Sequence, residues 1–288
     1  RVPIESTFRF YRDTPRIEVI TRLTNRSKDH RLRICFNLPF KSKKSLTETH
    51  FGIVERDGSP EIVPETEELE KTHSTFPEMP SGIQPQKRFI RVDDEQGKGA
   101  ITVFNTGLPE VELVNGNRIA ITLVRSVGWL SRADIPERPV HAGPGEETPG
   151  AQELGTEYEY HYGFAVHSKE EPLYVSSNIS DAASEKALTV YLNQSDIPSK
   201  LLNPIIQINN PRIRISSIRM RGGAVLVTMY NIENNKIDAL LELEESFTTM
   251  TEVKIDGTKK HELTVSGKSV RLVFSPREIK MCILKQDE

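Results

Sequence analysis

Apolar and polar residues alternate with a period of two along most of the chain. In Arg31–Leu38, the side chains of Leu32, Ile34, Phe36 and Leu38 fall on one side and those of Arg31, Arg33, Cys35 and Asn37 on the other. That is the pattern of a half-buried strand, whose successive side chains point to opposite faces. Arg16–Leu23 repeats it less cleanly, with Ile17, Val19 and Thr21 set against Glu18, Ile20 and Arg22. Arg88–Val92, Gly99–Asn105 and Arg118–Val127 are further β-rich runs bounded by Gly, Asn or Asp. Tyr158–Val166 alternates most strictly, placing Tyr158, Tyr160, Tyr162, Phe164 and Val166 opposite Glu159, His161, Gly163 and Ala165. The last third predicts a hairpin series of short strands: Ala224–Tyr230, Ile237–Leu243, Glu252–Ile255, Glu262–Val265, Val270–Phe274 and Lys280–Leu284. Turn signals separate them at Glu233-Asn234-Asn235, Asp256-Gly257 and Ser266-Gly267. Spacings of about 8–12 residues between strands belong to sandwiches and barrels. A short helix is predicted at Asp181–Leu188. The expectation is an all-β, antiparallel protein with a large β-sandwich over 1–194 and a small one over 195–288, the boundary weakly marked by Asn193–Pro198 and by Asn203-Pro204.

Two stretches break the strand rhythm. Arg56–Lys87 carries five prolines and the acidic cluster Glu65–Glu70, which predicts an exposed excursion between strands. Ser131–Thr156 is rich in proline and glycine and nearly free of β-branched residues, yet strong strands flank it. A loop of that length inside a compact domain is uncommon unless it serves a function, and an ordered functional loop is expected here.

Composition narrows the class. A chain of 288 residues with 38 Lys+Arg and 41 Asp+Glu has a net charge of −3, without the basic footprint of a nucleic-acid binder or a polybasic membrane segment. The apolar runs fall far short of the ~20 residues that span a bilayer. The two cysteines, Cys35 and Cys282, exclude a disulfide framework and a four-thiolate zinc site. With no signal-peptide core after Arg1, they set the expectation of a cytoplasmic protein.

There is no phosphate-cradling glycine loop, no Gly-x-Ser-x-Gly elbow and no His-Glu-x-x-His pair. The seven histidines are scattered. His161 and His167 share a strand face but lie about 20 Å apart at strand rise, too far to ligate one metal. The segment with most chemical promise runs from Arg125 through the single tryptophan, Trp129, to Arg132, Arg138, His141, Glu146 and Glu147. Arginines grip carboxylates through paired hydrogen bonds, and an aromatic face suits a sugar ring or a cation. The bland readings are structural salt bridges for the arginines and packing for Trp129. Glu146 and Glu147 are adjacent, so an extended backbone points them apart, whereas a retaining glycosidase needs two carboxyls converging at about 5–5.5 Å. They are read as solvated or structural.

At this segment the chain resembles the C-terminal β-region of glycoside hydrolase family 38, the zinc-dependent α-mannosidases, in its bacterial and archaeal form. The likeness is carried by Leu123–Arg132, Ala142-Gly-Pro144 and Glu147–Gln152, with Asp29–Arg33, Phe51–Arg56 and Ala100–Pro109 upstream and Val227–Asn231 and Phe274–Ile279 downstream. The resemblance implies a supersandwich of the galactose mutarotase-like kind followed by a smaller β-sandwich. It implies a parent enzyme in which an N-terminal β/α barrel holds the zinc, the nucleophilic aspartate and the acid/base aspartate, with a helical domain between barrel and β-region. Such an enzyme hydrolyses α-mannosides with retention. The barrel's His-x-Asp zinc motif is absent here, so no nucleophile, acid/base or zinc ligand is carried over to any residue. What the resemblance does imply is support: a loop of the β-region leaning on the active-site mouth, with Arg125, Arg132 or Arg138 approaching a catalytic acid and Trp129, His141, Glu146 and Glu147 as substrate or interface residues.

The expected partners are therefore the barrel and helical domain of the same polypeptide and, through the parent enzyme, mannosides, with no nucleic acid and no membrane. Docking predicts a bare surface that includes Trp129 and the Tyr158–Phe164 strand. Two alternatives stay open: a free-standing carbohydrate-binding sandwich, and a mutarotase- or epimerase-like enzyme built on His161, His167 and Glu159.

Overall fold

A computed structural model of the chain describes residues 2–58, 81–134, 141–184 and 204–286. Among the described residues the strand pairings are antiparallel, and the chain divides into two compact units. One holds Arg1–Thr49, Val54–Glu171 and Ser176–Ser184; the other holds His50–Ile53, Pro172–Val175 and Glu185–Glu288. The all-β reading holds. The division expected at 194/195 lies outside the described residues, as does Arg138.

The first unit is a sandwich of two sheets. A seven-stranded sheet runs in the order β1 (Ile4–Phe10), β2 (Arg16–Thr24), β11 (Glu157–Ser168), β8 (Gly99–Asn105), β7 (Phe89–Asp93), β4 (Lys44–Thr49) and β5 (Gly52–Asp57). A four-stranded sheet runs β3 (His30–Asn37), β10 (Arg118–Ser126), β9 (Glu110–Val114) and β6 (Ile83–Pro85). The alternation read from the sequence explains the core between them. Val19, Leu23, Ile90, Val92, Val103, Tyr160 and Tyr162 from the larger sheet meet Val111, Leu113, Ile119, Ile121 and Val124 from the smaller. On β3, Leu32, Ile34 and Phe36 pack on this core while Arg31 and Arg33 face outward to Glu110 and Glu112.

Gly163 sits where β11 leaves no room for a side chain. A Cβ there would stand 2.2 Å from the Ile17 carbonyl oxygen and 2.5 Å from the Phe104 ring. Two buried charges inside this unit are matched, while the buried Thr47 hydroxyl, Gln86 Oε1 and Tyr160 hydroxyl have no hydrogen-bond partner among the described residues. The fully buried Arg91 donates to Asp93 and to the carbonyls of Lys169 and Glu171, fixing the chain that leads into the helix. Arg88 holds the buried Glu48 by two hydrogen bonds, at 2.9 and 2.6 Å, and reaches Asp181 of the helix.

That helix, α1, spans Leu173–Ser184, a correction to the expected Asp181–Leu188, of which 185–188 lie outside the described residues. Its buried face is made of Ser176, Ser177 and Ser180, small polar residues that leave no apolar period to read. Ser176 hydrogen-bonds Thr102 at 2.8 Å. Ile83–Pro85 is a second correction, a strand inside what was expected to be an excursion.

The second unit pairs a three-stranded sheet, β12 (Ile206–Ile208), β15 (Ile237–Leu243) and β18 (Ser269–Phe274), with a five-stranded one, β13 (Ile213–Arg221), β14 (Ala224–Asn231), β19 (Ile279–Gln286), β16 (Phe247–Val253) and β17 (Lys259–Leu263). Val227, Met229, Leu241, Phe274, Cys282 and Leu284 are at the centre of its core. Glu252 and Lys280 are nearly buried as a pair, 3.1 Å apart, with Lys260 donating to the same carboxylate at 2.8 Å. Burial alone would raise the Glu252 pKa, but the hydrogen bonds from Lys260 and Lys280 hold it below its usual 4.5.

Candidate functional site

The long loop after β10 is ordered at its base by one buried side chain. Gln152, at the end of a single 3-10 turn over Pro149–Gln152, is 5% exposed. Its Oε1 accepts from the Asp29 amide at 2.8 Å and from the Ser126 hydroxyl at 2.7 Å, and its Nε2 donates to Asp29 Oδ1 at 2.7 Å. Its carbonyl accepts from Asn25 Nδ2 at 2.8 Å and from Ser126 Oγ at 2.9 Å. Gly128 passes directly over this cluster, and a Cβ there would lie 2.5 Å from Gln152 Nε2. Asp29 adopts a left-handed φ of 49° to present its amide, a conformation that Asn and Asp tolerate better than most residues.

From this base the two arms of the loop run together. Val127 donates to the Ala151 carbonyl at 3.2 Å, Thr148 to the Gly128 carbonyl at 2.8 Å and Leu130 to the Glu146 carbonyl at 2.9 Å, and Trp129 bridges Glu147. Farther out, the Ser131 hydroxyl accepts from the amides of Ala142 and Gly143 at 2.8 and 3.3 Å. The described arms of the loop are paired along their backbones without a strand's apolar pattern, an arrangement suited to presenting exposed side chains.

The side chains it presents are those the sequence singled out, with Arg138 outside the described residues. Trp129 is 42% exposed, Val127 and Leu130 are exposed beside it in sequence, and Leu154 is exposed near the end of the loop. His141, Glu146 and Glu147 are exposed, and the backbones of Glu146 and Glu147 pair with Leu130 and Trp129. Arg132 closes a two-pronged contact on Asp134, with Nε donating at 2.7 Å; this guanidinium holds the Asp134 carboxyl below its usual range, with His141 a smaller contributor. Arg125 stands at the end of β10 with its side chain 64% exposed and one ion-pair contact, 3.7 Å to Glu110. Glu110 is engaged more closely by Arg31 and by the Thr122 hydroxyl.

The tyrosine strand corrects the expectation of a bare face. Tyr160 and Tyr162 are buried, and Phe36 meets Tyr162 and Phe164 edge-on with ring centroids 6.1 and 5.8 Å apart. The smaller sheet covers them. Tyr158 stacks on Tyr160 at 5.5 Å and donates to Glu153; burial, helped by that carboxylate, pushes its pKa up to about 12. Among the described residues, no three of His, Cys, Asp and Glu come together as a metal site, so the side chains described do not fit a zinc ion. His161 bonds Glu159 on the surface at 2.7 Å while His167 bonds the buried Thr102 at 2.8 Å, so the two imidazoles do not converge. Two clefts of about 570 and 510 Å³ lie between the turns Leu38–Lys43, Asp94–Gly97 and Asn115–Asn117, and the described residues of the 125–156 loop line neither of them.

Sequence reasoning missed the cluster that makes the loop a structure: Asn25, Asp29, Ser126 and Gln152. Its signal was a polar residue, Gln152, placed at the close of a proline- and glycine-rich stretch with no strand to explain it.

A solved alpha-mannosidase from Enterococcus faecalis V583 superposes with a TM-score of 0.71 at 21% identity, over 98% of this chain and 29% of that one. A solved protein of glycosyl hydrolase family 38 from Enterococcus faecalis does so with a TM-score of 0.72 at 20% identity, over 98% of this chain and 30% of that one. The chain thus spans less than a third of the length of these two structures. None of the curated proteins compared with it matches. The family model for the glycosyl hydrolases family 38 C-terminal domain matches residues 1–137, and over those residues this chain is similar to that domain.

Proposed function

We propose that this chain is the C-terminal, non-catalytic β portion of an α-mannosidase that hydrolyses terminal α-mannosides with retention, and that its 125–156 loop supports the active site formed elsewhere in the same polypeptide. The observation that carries the reading is the family 38 match over residues 1–137 together with a fold shared along 98% of this chain with proteins more than three times its length. The described side chains offer no metal site, so zinc and the catalytic carboxylates are assigned to the remainder of the enzyme and no chemical step is assigned to a residue here.

The role left to this chain is electrostatic and steric. A guanidinium within about 4–6 Å of a carboxyl lowers its pKa by roughly 1–3 units and fixes its direction. Arg125 is the favoured group, because its contact to Glu110 is long and its side chain projects into solvent, whereas Arg132 is occupied by Asp134. The exposed Trp129 is then an apolar contact at the rim of the mouth.

The test uses aryl α-mannosides. The chain alone, with zinc supplied, shows no turnover; turnover by the purified chain overturns the proposal. The polypeptide encoded by the whole gene hydrolyses the substrate with retained anomeric configuration, and Arg125→Ala lowers kcat without changing the melting of the β-region. A second reading, a carbohydrate-binding module, is favoured by the exposure of Trp129 alone. Saturable quenching of Trp129 fluorescence by mannose in the isolated chain would replace the first reading with this one.

A further inference from the structure

β1 is the edge of the seven-stranded sheet, paired to β2 on one side, and all seven of its residues are exposed. Ile4, Ser6, Phe8 and Phe10 share the face on which β2 carries Ile17, Val19, Thr21 and Leu23. That is the core face of the sheet, yet Ile4, Phe8 and Phe10 remain 52%, 57% and 73% exposed. Natural sheets blunt their edges with charged side chains, proline, bulges or short strands. Of these β1 has only the charges Glu5 and Arg9 within its seven residues.

The other face carries Glu5, Thr7 and Arg9. Across β2 they stand opposite Arg22, Ile20 and Glu18, but Arg22 is held by Glu159, and Glu18 is held by Arg16 and Tyr11. Among the described residues neither Glu5 nor Arg9 has an ion-pair or hydrogen-bond partner for its side chain.

We infer that the free edge of β1 is a self-complementary surface on which a second copy of this chain docks, the two β1 strands pairing antiparallel about a two-fold axis through Thr7. The sequence Ile-Glu-Ser-Thr-Phe-Arg-Phe contains the register. With Thr7 opposite Thr7 of the second copy, Glu5 faces Arg9, Ile4 faces Phe10 and Ser6 faces Phe8, each pairing occurring twice by symmetry. Directly opposed residues of antiparallel strands stand with Cβ atoms about 4.5–5.5 Å apart, within reach of an ion pair. Centring the axis on Ser6 or Phe8 instead leaves both charges facing neutral residues. A shift by one residue would turn the apolar faces of the two copies to opposite sides. The contact is isologous and closes at two chains, and it removes the exposed edge by joining two seven-stranded sheets into one. The inference does not depend on the functional reading above.

The experiment is sedimentation velocity of this chain from micromolar to hundreds of micromolar. A reversible species of twice the 32.6 kDa chain mass is expected. Glu5→Arg alone and Arg9→Glu alone each set like charges opposite one another twice and weaken dimerisation at least about tenfold. The double variant Glu5→Arg/Arg9→Glu restores the dimer, and mixing the two single variants yields a heterodimer. All four positions altered by symmetry are solvent-exposed, so folding is unaffected and is checked by circular dichroism. A wild-type monomer across the range, a dimer indifferent to the single reversals, or a double variant that stays monomeric overturns the inference. If the whole-gene polypeptide is monomeric while this chain pairs, the edge is filled by its own chain there, and the assignment falls for the longer protein.

Discussion

Replacing Gln152 by alanine tests whether the loop is held from its base. The substitution removes the Gln152 acceptor for the Asp29 amide and the Ser126 hydroxyl, and the donor to the Asp29 carboxylate. Ser126 retains the Gln152 carbonyl at 2.9 Å, so its loss is partial. Asp29 is exposed, so water substitutes for part of the charge-assisted bond. Counting about 1 kcal/mol for each of the two bonds to Asp29 and a fraction of that for Ser126 gives about 2–3 kcal/mol. The cost is expected locally, because the loop arms pair with each other and not with the seven-stranded sheet. The single tryptophan lies in one of those arms, bridging Glu147, so its fluorescence reports the loop while far-ultraviolet circular dichroism reports the sheets. With a urea slope of about 1–3 kcal/mol per molar, the Trp129 transition of Gln152→Ala moves down by roughly 1 M or more relative to wild type and separates from the dichroism transition. A Trp129 transition that neither moves nor separates would show that the loop is held by something other than Gln152, and the account of an ordered supporting loop would fail with it.

Three further outcomes follow from the packing. Gly163→Ala, whose Cβ would sit 2.2 Å from the Ile17 carbonyl oxygen, forces β11 from β2 and costs about 3 kcal/mol or more; urea melting with an unchanged midpoint would contradict the register. Glu252→Ala leaves the nearly buried Lys280 ammonium with Glu278 alone and destabilises the second unit by about 3–5 kcal/mol. Because the folded pKa of Glu252 lies below its unfolded value, its contribution is present above the unfolded pKa of about 4.3 and fades as pH falls through the lower folded value; the gap between wild type and Glu252→Ala in urea midpoints, measured as pH falls, must shrink in that direction. Ellman titration of the native chain gives one reactive thiol, the exposed Cys35. The second appears on unfolding, since Cys282 is fully buried and burial raises its pKa to about 12; two native thiols would mean the second core is open.

Where one face of a strand is buried and the other wet, the sequence reports it directly. Ile237–Leu243, whose burial alternates strictly, has the bounds its pattern gives, and the partition of β3 into Leu32, Ile34 and Phe36 against Arg31 and Arg33 is the partition of core from ion-pair surface. Two of the misses, the helix and the base of the loop, share a cause, which is burial without apolarity. The serine face of α1 and the Gln152 cluster are packed through hydrogen bonds, and hydrogen-bonding residues carry no period. β1 is the converse case. Its alternation is visible, interrupted at Ser6, but its apolar face is not covered, so pattern alone cannot say what the strand is for. The arginines show the same limit at the candidate site. Type and position marked Arg125 and Arg132 equally, and only distance separates a guanidinium occupied by Asp134 from one held loosely by Glu110.

That difference decides what the loop can contribute to a neighbouring carboxyl. A guanidinium already shared with a carboxylate offers a second one only what remains of its donors and of its field, and the Arg132–Asp134 pair is close to neutral as a unit. Among the described residues Arg125 has only the 3.7 Å contact to Glu110, at the end of a strand that sets Ile119, Ile121 and Val124 in the core. A rigid strand end with an uncommitted cation, flanked by a loop pinned through Gln152, is pre-organised to meet an anion without paying again to order the side that presents it. If so, Arg125→Lys in the whole-gene enzyme keeps the charge but loses the planar fork, and kcat falls less than with Arg125→Ala, while Arg132→Ala, acting on a pair already satisfied, leaves kcat close to wild type. Equal losses from Arg125→Ala and Arg132→Ala would show that the loop acts as a wall and not through its charge.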